Sequence, residues 1–378
     1  MAKVRLGDVA VERKETSKNN QPFPTVGLEH LIPEEVTLTQ WEENSDNTFT
    51  KIFRKGDVLF GRRRAYLKKA AIAPMDGICS GDITVISAKP DKIKPDLLPF
   101  VIQNDDFFDF AVEKSAGSLS PRAKWQHLKD YEFNLPDLDE QGRLAEILWA
   151  MQDTKRAYQN LLKRTDELVK SQFIEMFGDP EKNPKKWDYI QLGDISFITK
   201  LAGFEYTKYI DYQDSGDVIM IRGLNCKGTK LVLDDIKWID RETSDLLPRS
   251  KLNKGDLVIT YVGTVGEIAL IDKDDTYHLA PNVAKLSLND KNRENPMFWA
   301  YMLMISRDYV IRFATSTTQS ALNMEKIRRI GFINPPQELQ DKFVAMLEQS
   351  DKSKFELENA IKELTATYKR IITESLGQ

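Results

Sequence analysis

The sequence predicts an α+β chain: two similar mixed α/β domains, separated by a pair of long antiparallel helices and related by a pseudo-twofold axis. Three observations carry this. Residues 138–178 form one amphipathic run without proline. The same run returns 199 residues later. The blocks that precede the two runs share short motifs in the same order.

Within the first run, Leu144, Ile147, Met151, Thr154, Tyr158, Leu161, Thr165 and Leu168 fall at alternating three- and four-residue steps. That is a heptad-like seam, widened to a stripe by Leu148, Leu162 and Val169. Asp139 and Glu140 complement the dipole of a helix start, and Gly178 is the expected stop. At about 1.5 Å per residue the helix is roughly 60 Å long, more than one globular domain needs. An offset of 199 turns the seam into Phe343, Met346, Ser350, Ser353, Leu357, Ala360, Leu364 and Thr367. The flanks obey the same offset: Phe133 with Phe332, Pro136 with Pro335, Gln141 with Gln340, Gly178 with Gly377. Each seam must be covered. Two helices packed separately on their own domains would do so, but their length favours mutual pairing. The expected pair interface is Leu144, Ile147, Met151, Tyr158, Leu161, Leu168, Phe343, Met346, Leu357 and Leu364. Polar layers at Thr154, Thr165, Ser350 and Ser353 cost stability and fix register.

The duplication extends beyond the helices. Val4-Arg5-Leu6-Gly7-Asp8-Val9 resembles Ile190-Gln191-Leu192-Gly193-Asp194-Ile195 at an offset of 186. Phe53-Arg54-Lys55-Gly56-Asp57-Val58-Leu59 resembles Leu252-Asn253-Lys254-Gly255-Asp256-Leu257-Val258 at 199. The second copy has therefore gained about 13 residues between these blocks, as surface loops permit. The expected domains are 1–137 and 189–336, with helices at 138–178 and 337–378 and a polar linker at 179–188. Strands are expected at Val58-Leu59-Phe60, Ile83-Thr84-Val85-Ile86, 218–221 and 257–260, and helices at 97–114 and 296–315.

Composition narrows the function. The chain has 378 residues, ordinary hydrophobic content and a net charge of −4. Any contact with nucleic acid must then rest on local basic patches. Cys79 and Cys226 lie far apart, and His30, His127 and His278 are the only histidines, so neither a metal site nor a disulfide framework is expected. No signal peptide or bilayer-spanning run is visible, which predicts a cytoplasmic protein with no membrane partner.

The strongest patch is Lys51 to Lys69, with Lys51, Arg54, Lys55, Arg62, Arg63, Arg64, Lys68 and Lys69 against the single acid Asp57. Arg62, Arg63 and Arg64 follow a strand and Gly61, and Tyr66 sits among the cations. Arginines there can hold phosphates or reach guanine edges. A solvated charged loop fits the same pattern. Arg122, Lys124, His127 and Lys129 follow a Ser118/Ser120 loop. The second copy offers Lys326, Arg328 and Arg329 beside Gln319 and Asn323. Gly263-Thr264-Val265-Gly266 lacks the spacing of a phosphate loop and reads as a tight turn. Asn334-Pro335-Pro336-Gln337 evokes the base-flipping motif of adenine methyltransferases but lacks its aromatic fourth residue, so it reads as a strand end before a helix. Asp256 lacks the Glu-x-Lys partner of a nuclease. No catalytic constellation emerges.

Leu-Gly-Asp, Lys-Gly-Asp before an apolar strand, a Ser/Thr-rich loop and a proline strand-end leading into a Gln-bearing helix occur in that order twice. In this the chain resembles the specificity (S) subunit of type I restriction-modification systems over nearly its whole length. Gly27-Leu28-Glu29-His30 and Pro335-Pro336-Gln337-Glu338-Leu339-Gln340 add to the likeness. The resemblance implies two target-recognition domains, each reading half of a bipartite sequence in double-stranded DNA, and no catalytic activity in the chain itself. It implies two modification subunits that methylate adenine with S-adenosylmethionine, and restriction subunits that use ATP and magnesium. The candidate DNA contacts, taken from the residues of this chain since recognition domains vary within the family, are Arg62, Arg63, Arg64, Tyr66, Lys68, Lys69, Ser118, Ser120, Arg122 and Lys124 in the first domain. Tyr261, Thr264, Thr317, Gln319, Ser320 and Asn323 are those of the second. The alternatives are an orphan subunit serving methylation only, a methyltransferase or nuclease in its own right, and a coiled-coil adaptor that binds protein alone.

Overall fold

The computed structural model describes residues 2–17, 24–43, 48–115, 121–314 and 321–377. The chain divides into two compact units: Met1–Leu162 with Glu356–Gln378, and Lys163–Phe355. The division cuts both long helices, because each half-helix shares a core with the globular part of its own unit.

In unit 1, β1 (Ala2–Arg5) leads through the one-turn helix α1 (Leu6–Val9) into β2 (Ala10–Glu12). β2 joins β5 (Val58–Gly61), β6 (Ala70–Ile72) and β8 (Ile83–Ala88) in an antiparallel sheet of order β2–β8–β5–β6. β3 (Thr25–Val26) and β4 (Lys51–Phe53) flank β7 (Gly77–Cys79) in a second sheet, β3 parallel to it and β4 antiparallel. Helices α2 (Leu98–Ile102), α3 (Asp105–Glu113) and α4 (Trp125–Leu128) precede β9 (Glu132–Leu135), which returns antiparallel to β1. The central strands are buried on both faces, β5 along its whole length and β8 from Ile83 to Ile86, and these stretches are almost wholly apolar. Val58 and Phe60 face the helices, while Leu59, Ile83 and Val85 face the second sheet. The helix expected at 97–114 is two helices. Asn104 breaks it by accepting the Asp106 N–H (3.2 Å), an N-cap bond that starts α3.

Unit 2 repeats this plan with additions. β10 (Tyr189–Gln191) and α6 (Leu192–Ile195) lead into β11 (Ser196–Lys200), followed by α7 (Gly203–Tyr209). β12 (Val218–Ile221), the small hairpin β13 (Cys226–Lys227) with β14 (Lys230–Leu231), β15 (Lys237–Ile239), α8 (Arg241–Leu246) and β16 (Lys251–Leu252) come next. β17 (Leu257–Thr260), β18 (Ile268–Leu270) and β20 (Val283–Leu288) complete the sheet β11–β20–β17–β18. β19 (Tyr277–Leu279) joins β15–β12–β19–β16, where β12 and β19 run parallel, as β3 and β7 do. α9 (Pro296–Ile305), α10 (Arg307–Ile311), α11 (Met324–Arg329) and β21 (Gly331–Ile333) close the unit, with β21 antiparallel to β10. The helix expected at 296–315 thus breaks at Ser306.

The Lys-Gly-Asp motifs make the same turn in both units. Gly56 and Gly255 take φ of +89° and +83°, which β-carbon residues resist. The following Asp57 and Asp256 accept the N–H of Arg54 (2.8 Å) and Asn253 (2.9 Å). These turns launch β5 and β17, the central strands of their sheets.

The long helices are α5 (Leu138–Phe177) and α12 (Gln337–Leu376). They pair antiparallel in each unit. In unit 1 the C-terminal end of α12 meets the segment before α5: the Gly377 carbonyl accepts from the Asn134 N–H (3.1 Å) and side-chain amide (2.9 Å). In unit 2, Phe173 and Phe177 pack on Phe343 at ring distances of 5.2 and 5.7 Å, and Lys354 bonds Asp166 (3.0 Å).

The seam is corrected in phase. Ile147, Leu161 and Leu168 are 52%, 48% and 58% exposed. The seam instead passes through Leu148 and Val169, both buried, and Leu162, half-buried. Leu144, Met151 and Tyr158 are half-buried, as are Met346, Leu357 and Leu364, and Phe343 is fully buried. The expected pattern stepped three then four from Leu144; the structure steps four then three. The two phases share every second position and differ by one residue, about 100° of rotation, at the others. Apolar residues at both 147 and 148, and at both 161 and 162, left the phase open. The globular cores chose it. From 149 to 168 in α5 and from 348 to 367 in α12 no residue is fully buried, because one partner helix covers only one side.

Candidate nucleic-acid interface

In unit 1 the hairpin β5–β6 carries the basic segment. Beyond Gly61 the chain continues beside two neighbours. The Arg62 N–H donates to the Asp82 carbonyl (3.0 Å), the Ala123 N–H to the Arg62 carbonyl (2.8 Å), and the Arg64 N–H to the Pro121 carbonyl (3.0 Å). Arg63 and Arg122 form an antiparallel bridge. Three guanidinium groups then converge on one carboxylate. Arg122 grips Asp82 with Nε (2.8 Å) and Nη2 (3.3 Å), Arg63 Nη1 lies at 3.7 Å and Arg62 Nε at 3.9 Å. The Arg122 bonds hold the Asp82 carboxyl below the usual carboxylate range, with Arg62 and Arg63 adding to the effect against partial burial. One negative charge thus orders three positive ones. Arg62 Nε is buried without a hydrogen-bond acceptor.

The remaining candidates of this unit separate. Arg64 is exposed in the left-handed region (φ 55°), and Tyr66 is 56% exposed. Lys124 is exposed before α4. Lys68 turns to Asp105 (2.5 Å) and Lys69 to the Leu28 carbonyl (2.7 Å), so both ammonium groups are bound to the protein itself. Lys51 is drawn inside, donating to the Ile83 carbonyl (2.5 Å), and burial lowers its pKa. Arg54 pairs with Glu15 and Asp76. The basic run is therefore split by the fold. Ser118 and Ser120 lie outside the described residues.

Unit 2 builds the same backbone with different side chains. Val262 and Ala321 form the bridge, 199 residues on from Arg63 and Arg122. The Tyr261 N–H donates to the Asn282 carbonyl (2.9 Å) and the Leu322 N–H to the Tyr261 carbonyl (2.8 Å). Tyr261 is 9% exposed, with Lys200 Nζ 5.2 Å from its ring centre. Gly263-Thr264-Val265-Gly266 is the β17–β18 turn, with Thr264 exposed and Thr260 Oγ1 bonded to the Thr264 carbonyl. Asn323 caps α11 by accepting the Lys326 N–H (2.7 Å). Thr317, Gln319 and Ser320 lie outside the described residues.

Sequence reasoning missed Asp82 and Lys200. In the sequence, Gly81-Asp82 before Ile83 reads only as a turn. Its counterpart, Pro281-Asn282, stands 200 residues on and could have marked the position as part of the repeated site.

The catalytic leads dissolve into structure. Asn334 bonds Glu294 (3.2 Å) and Gln340 (3.3 Å) at the start of α12. Asp256 is held in its turn. Among the described residues no group of three His, Cys, Asp or Glu could hold a metal, and no helix is long and apolar enough to cross a membrane. Cys79 and Cys226 are both free, and burial pushes each thiol up to about 12.

Known proteins share this architecture. The chain is 30% identical over 129 residues to the EcoDI type I restriction enzyme specificity subunit of Escherichia coli, covering 33% of this chain and 28% of that one. It is 25% identical over 251 residues to the EcoBI specificity subunit, also of Escherichia coli, covering 59% and 52%. The matches thus span about a quarter and about half of those relatives. Two solved structures are similar along nearly their whole lengths. One, from work on complex assembly and conformational transition of the type I R-M system, has a TM-score of 0.63 at 19% identity, over 99% of this chain and 97% of that one. The type I restriction-modification S subunit from M. genitalium has a TM-score of 0.59 at 12% identity, over 100% and 96%. At such identities these two speak for the fold. The family model for the type I restriction modification DNA specificity domain matches residues 1–164 and again 184–366. The chain belongs to that family and carries its domain twice.

Proposed function

We propose that this protein is the DNA-recognition subunit of a type I restriction-modification complex, non-catalytic itself, each unit reading one half of a bipartite duplex target. One observation carries this reading. Both units present the same hydrogen-bonded three-segment platform, Arg62–Arg63 with Arg122 and Tyr261–Val262 with Ala321, yet dress it with unrelated side chains. An unchanged scaffold with changed surface residues is what two readers of different sequences require. In unit 1 the ordered guanidinium cluster suits guanine edges or phosphates. Two modification subunits, using S-adenosylmethionine, and restriction subunits, using ATP and magnesium, supply the chemistry. The complex works in the cytoplasm, where its DNA lies. Partners that share the phosphate contacts make the chain's net charge of −4 compatible with DNA binding.

The test is to map methylated sites in cells that express the chain with its modification subunits. Arg63→Ala or Arg122→Ala should relax bases in one half-site only, at about 1–3 kcal/mol for a lost bidentate base contact. Loss of methylation at every sequence alike would assign these arginines to phosphate. No sequence-specific methylation by the assembled complex would end the proposal.

A further inference from the structure

Among the described residues, the unit 2 platform carries no arginine cluster and few groups for base contact. The neighbouring element α7 supplies what is missing. β11 runs antiparallel to β20 and ends with Lys200 opposite Ala284, while Thr260 at the end of β17 stands opposite Val283. The end of β11 and the platform residues Tyr261 and Val262 therefore lie at the same edge of one sheet. Lys200 confirms this, with its ammonium over the Tyr261 ring. α7 begins three residues after Lys200.

α7 contains no fully buried residue, though it reads GFEYTKY. Tyr206 and Tyr209 pack against the second core of unit 2, and Tyr206 meets Tyr212 at 5.9 Å. Phe204 lies about 200° around the helix from Tyr206, so it points the other way. It is 69% exposed, more than any other large hydrophobic side chain among the described residues. Lys208, one turn further along α7, and Lys200, three residues before the helix, are exposed, as is Arg249, held beside β11 by a bond to Thr199 (3.1 Å). The one acid of α7, Glu205, is turned back to accept the Ala202 N–H (3.0 Å). An exposed ring on a helix that carries one exposed cation and follows another, itself set over the platform residue Tyr261, suits the bases and phosphates of a duplex groove.

We infer that Phe204 is a specificity-determining residue of unit 2, making apolar contact with the bases of its half-site while Lys200 and Arg249 hold the adjoining phosphates. This rests on the DNA-recognition reading. Thymine methyl groups, or a base step opened by the ring, offer the surface it needs.

The experiment uses the complex assembled with its modification subunits, after its target has been mapped from methylated DNA. Phe204→Ala should weaken binding to the target duplex about tenfold or more, as loss of an aromatic base contact does. It should leave binding to a random duplex and assembly with the modification subunits unchanged, and relax one or two positions of a single half-site. Phe204→Trp should retain most of the affinity. Replacing thymine by uracil across that half-site should weaken the native complex at the contacted position and leave Phe204→Ala unaffected there. A Phe204→Ala complex with native target affinity and native methylated sequence overturns the inference. So does loss of modification-subunit binding, which would give Phe204 to a protein partner. If Phe204→Ala is silent while Arg63→Ala or Arg122→Ala relaxes the other half-site, this inference falls and the DNA-recognition reading stands. If the native assembled complex methylates no specific sequence, the reading falls with it.

Discussion

At the residue scale, charge placement matters more than charge count. Asp82 is the example: it orders Arg122, Arg63 and Arg62 without neutralising them all. Asp82→Asn keeps the shape and removes the charge. It should tighten binding to random duplex and reduce discrimination in favour of the target, read from the two affinities at one salt concentration. His278 gives a pH prediction. It is fully buried in unit 2, with Nδ1 3.0 Å from the Leu279 carbonyl and Nε2 3.4 Å from that of Leu247. Burial pushes its pKa below the ordinary histidine value, Lys285 and Lys251 add to this, and the two carbonyls oppose it. A lowered folded-state pKa means that the unfolded ring takes up a proton first. His278 therefore contributes its full stability above the unfolded value of about 6.5, and loses it as pH falls toward the folded value. In thermal unfolding, His278→Leu should lose less Tm than the native chain as pH is lowered through this range.

At the element scale, the two long helices start from matched buried glutamines. Gln141 Oε1 accepts the Lys94 N–H (2.8 Å) and its amide donates to the Pro136 carbonyl (2.9 Å). Gln340 does the same with the Asn295 N–H (3.0 Å) and the Pro335 carbonyl (3.0 Å). Each tethers a helix start to a loop of its own globular part. Gln340→Leu strands the buried Pro335 carbonyl and the part-buried Asn295 N–H, at about 1–3 kcal/mol for the buried group and less for the other, and chemical denaturation should show the loss. The same helices leave Leu168 (58% exposed) and Phe355 (63%) outside the seam. Serine at both positions should change stability by no more than about 0.5 kcal/mol each. If the modification subunits dock on these exposed side chains, co-purification with them should weaken. Full co-purification would place the docking face elsewhere.

At the scale of the whole molecule, the duplication makes unit 1 nearly closed on itself. Asn134 holds Gly377, and pairs with Lys3 in the β1–β9 ladder, so both ends of the chain meet on one strand. In unit 2 the corresponding Gly178 and Tyr189 are joined by 179–188, which folds back on α5. Its Trp187 donates to the Phe177 carbonyl (2.9 Å) and Lys185 to that of Met176 (3.0 Å). A copy of that linker joining the ends, with the chain opened after Gly178, should still fold, bind its modification subunits and direct their methylation to the same sequence. A permuted chain that folds but fails to assemble would show that the covalent path through 179–188 is itself required.

The amino-acid order alone determined the duplication, both long helices and the central strands. Each rests on a local signal: a heptad run, a Lys-Gly-Asp turn, or a proline before an apolar stripe. It also placed Arg62, Arg63 and Arg64 beyond β5, because three consecutive cations after Gly61 follow directly on a strand that ends there. It could not choose the phase of the helix seam, since apolar residues stand at both 147 and 148 and only the globular cores decide which one is covered. Nor could it show that Lys68 and Lys69 are bound inward, that Asp82 gathers the arginines, or that Lys200 lies over Tyr261. Those pairs are 37, 41, about 20 to 40, and 61 residues apart along the chain. Side-chain partners at such separations are fixed by strand order and register, which exist only once the sheets have formed.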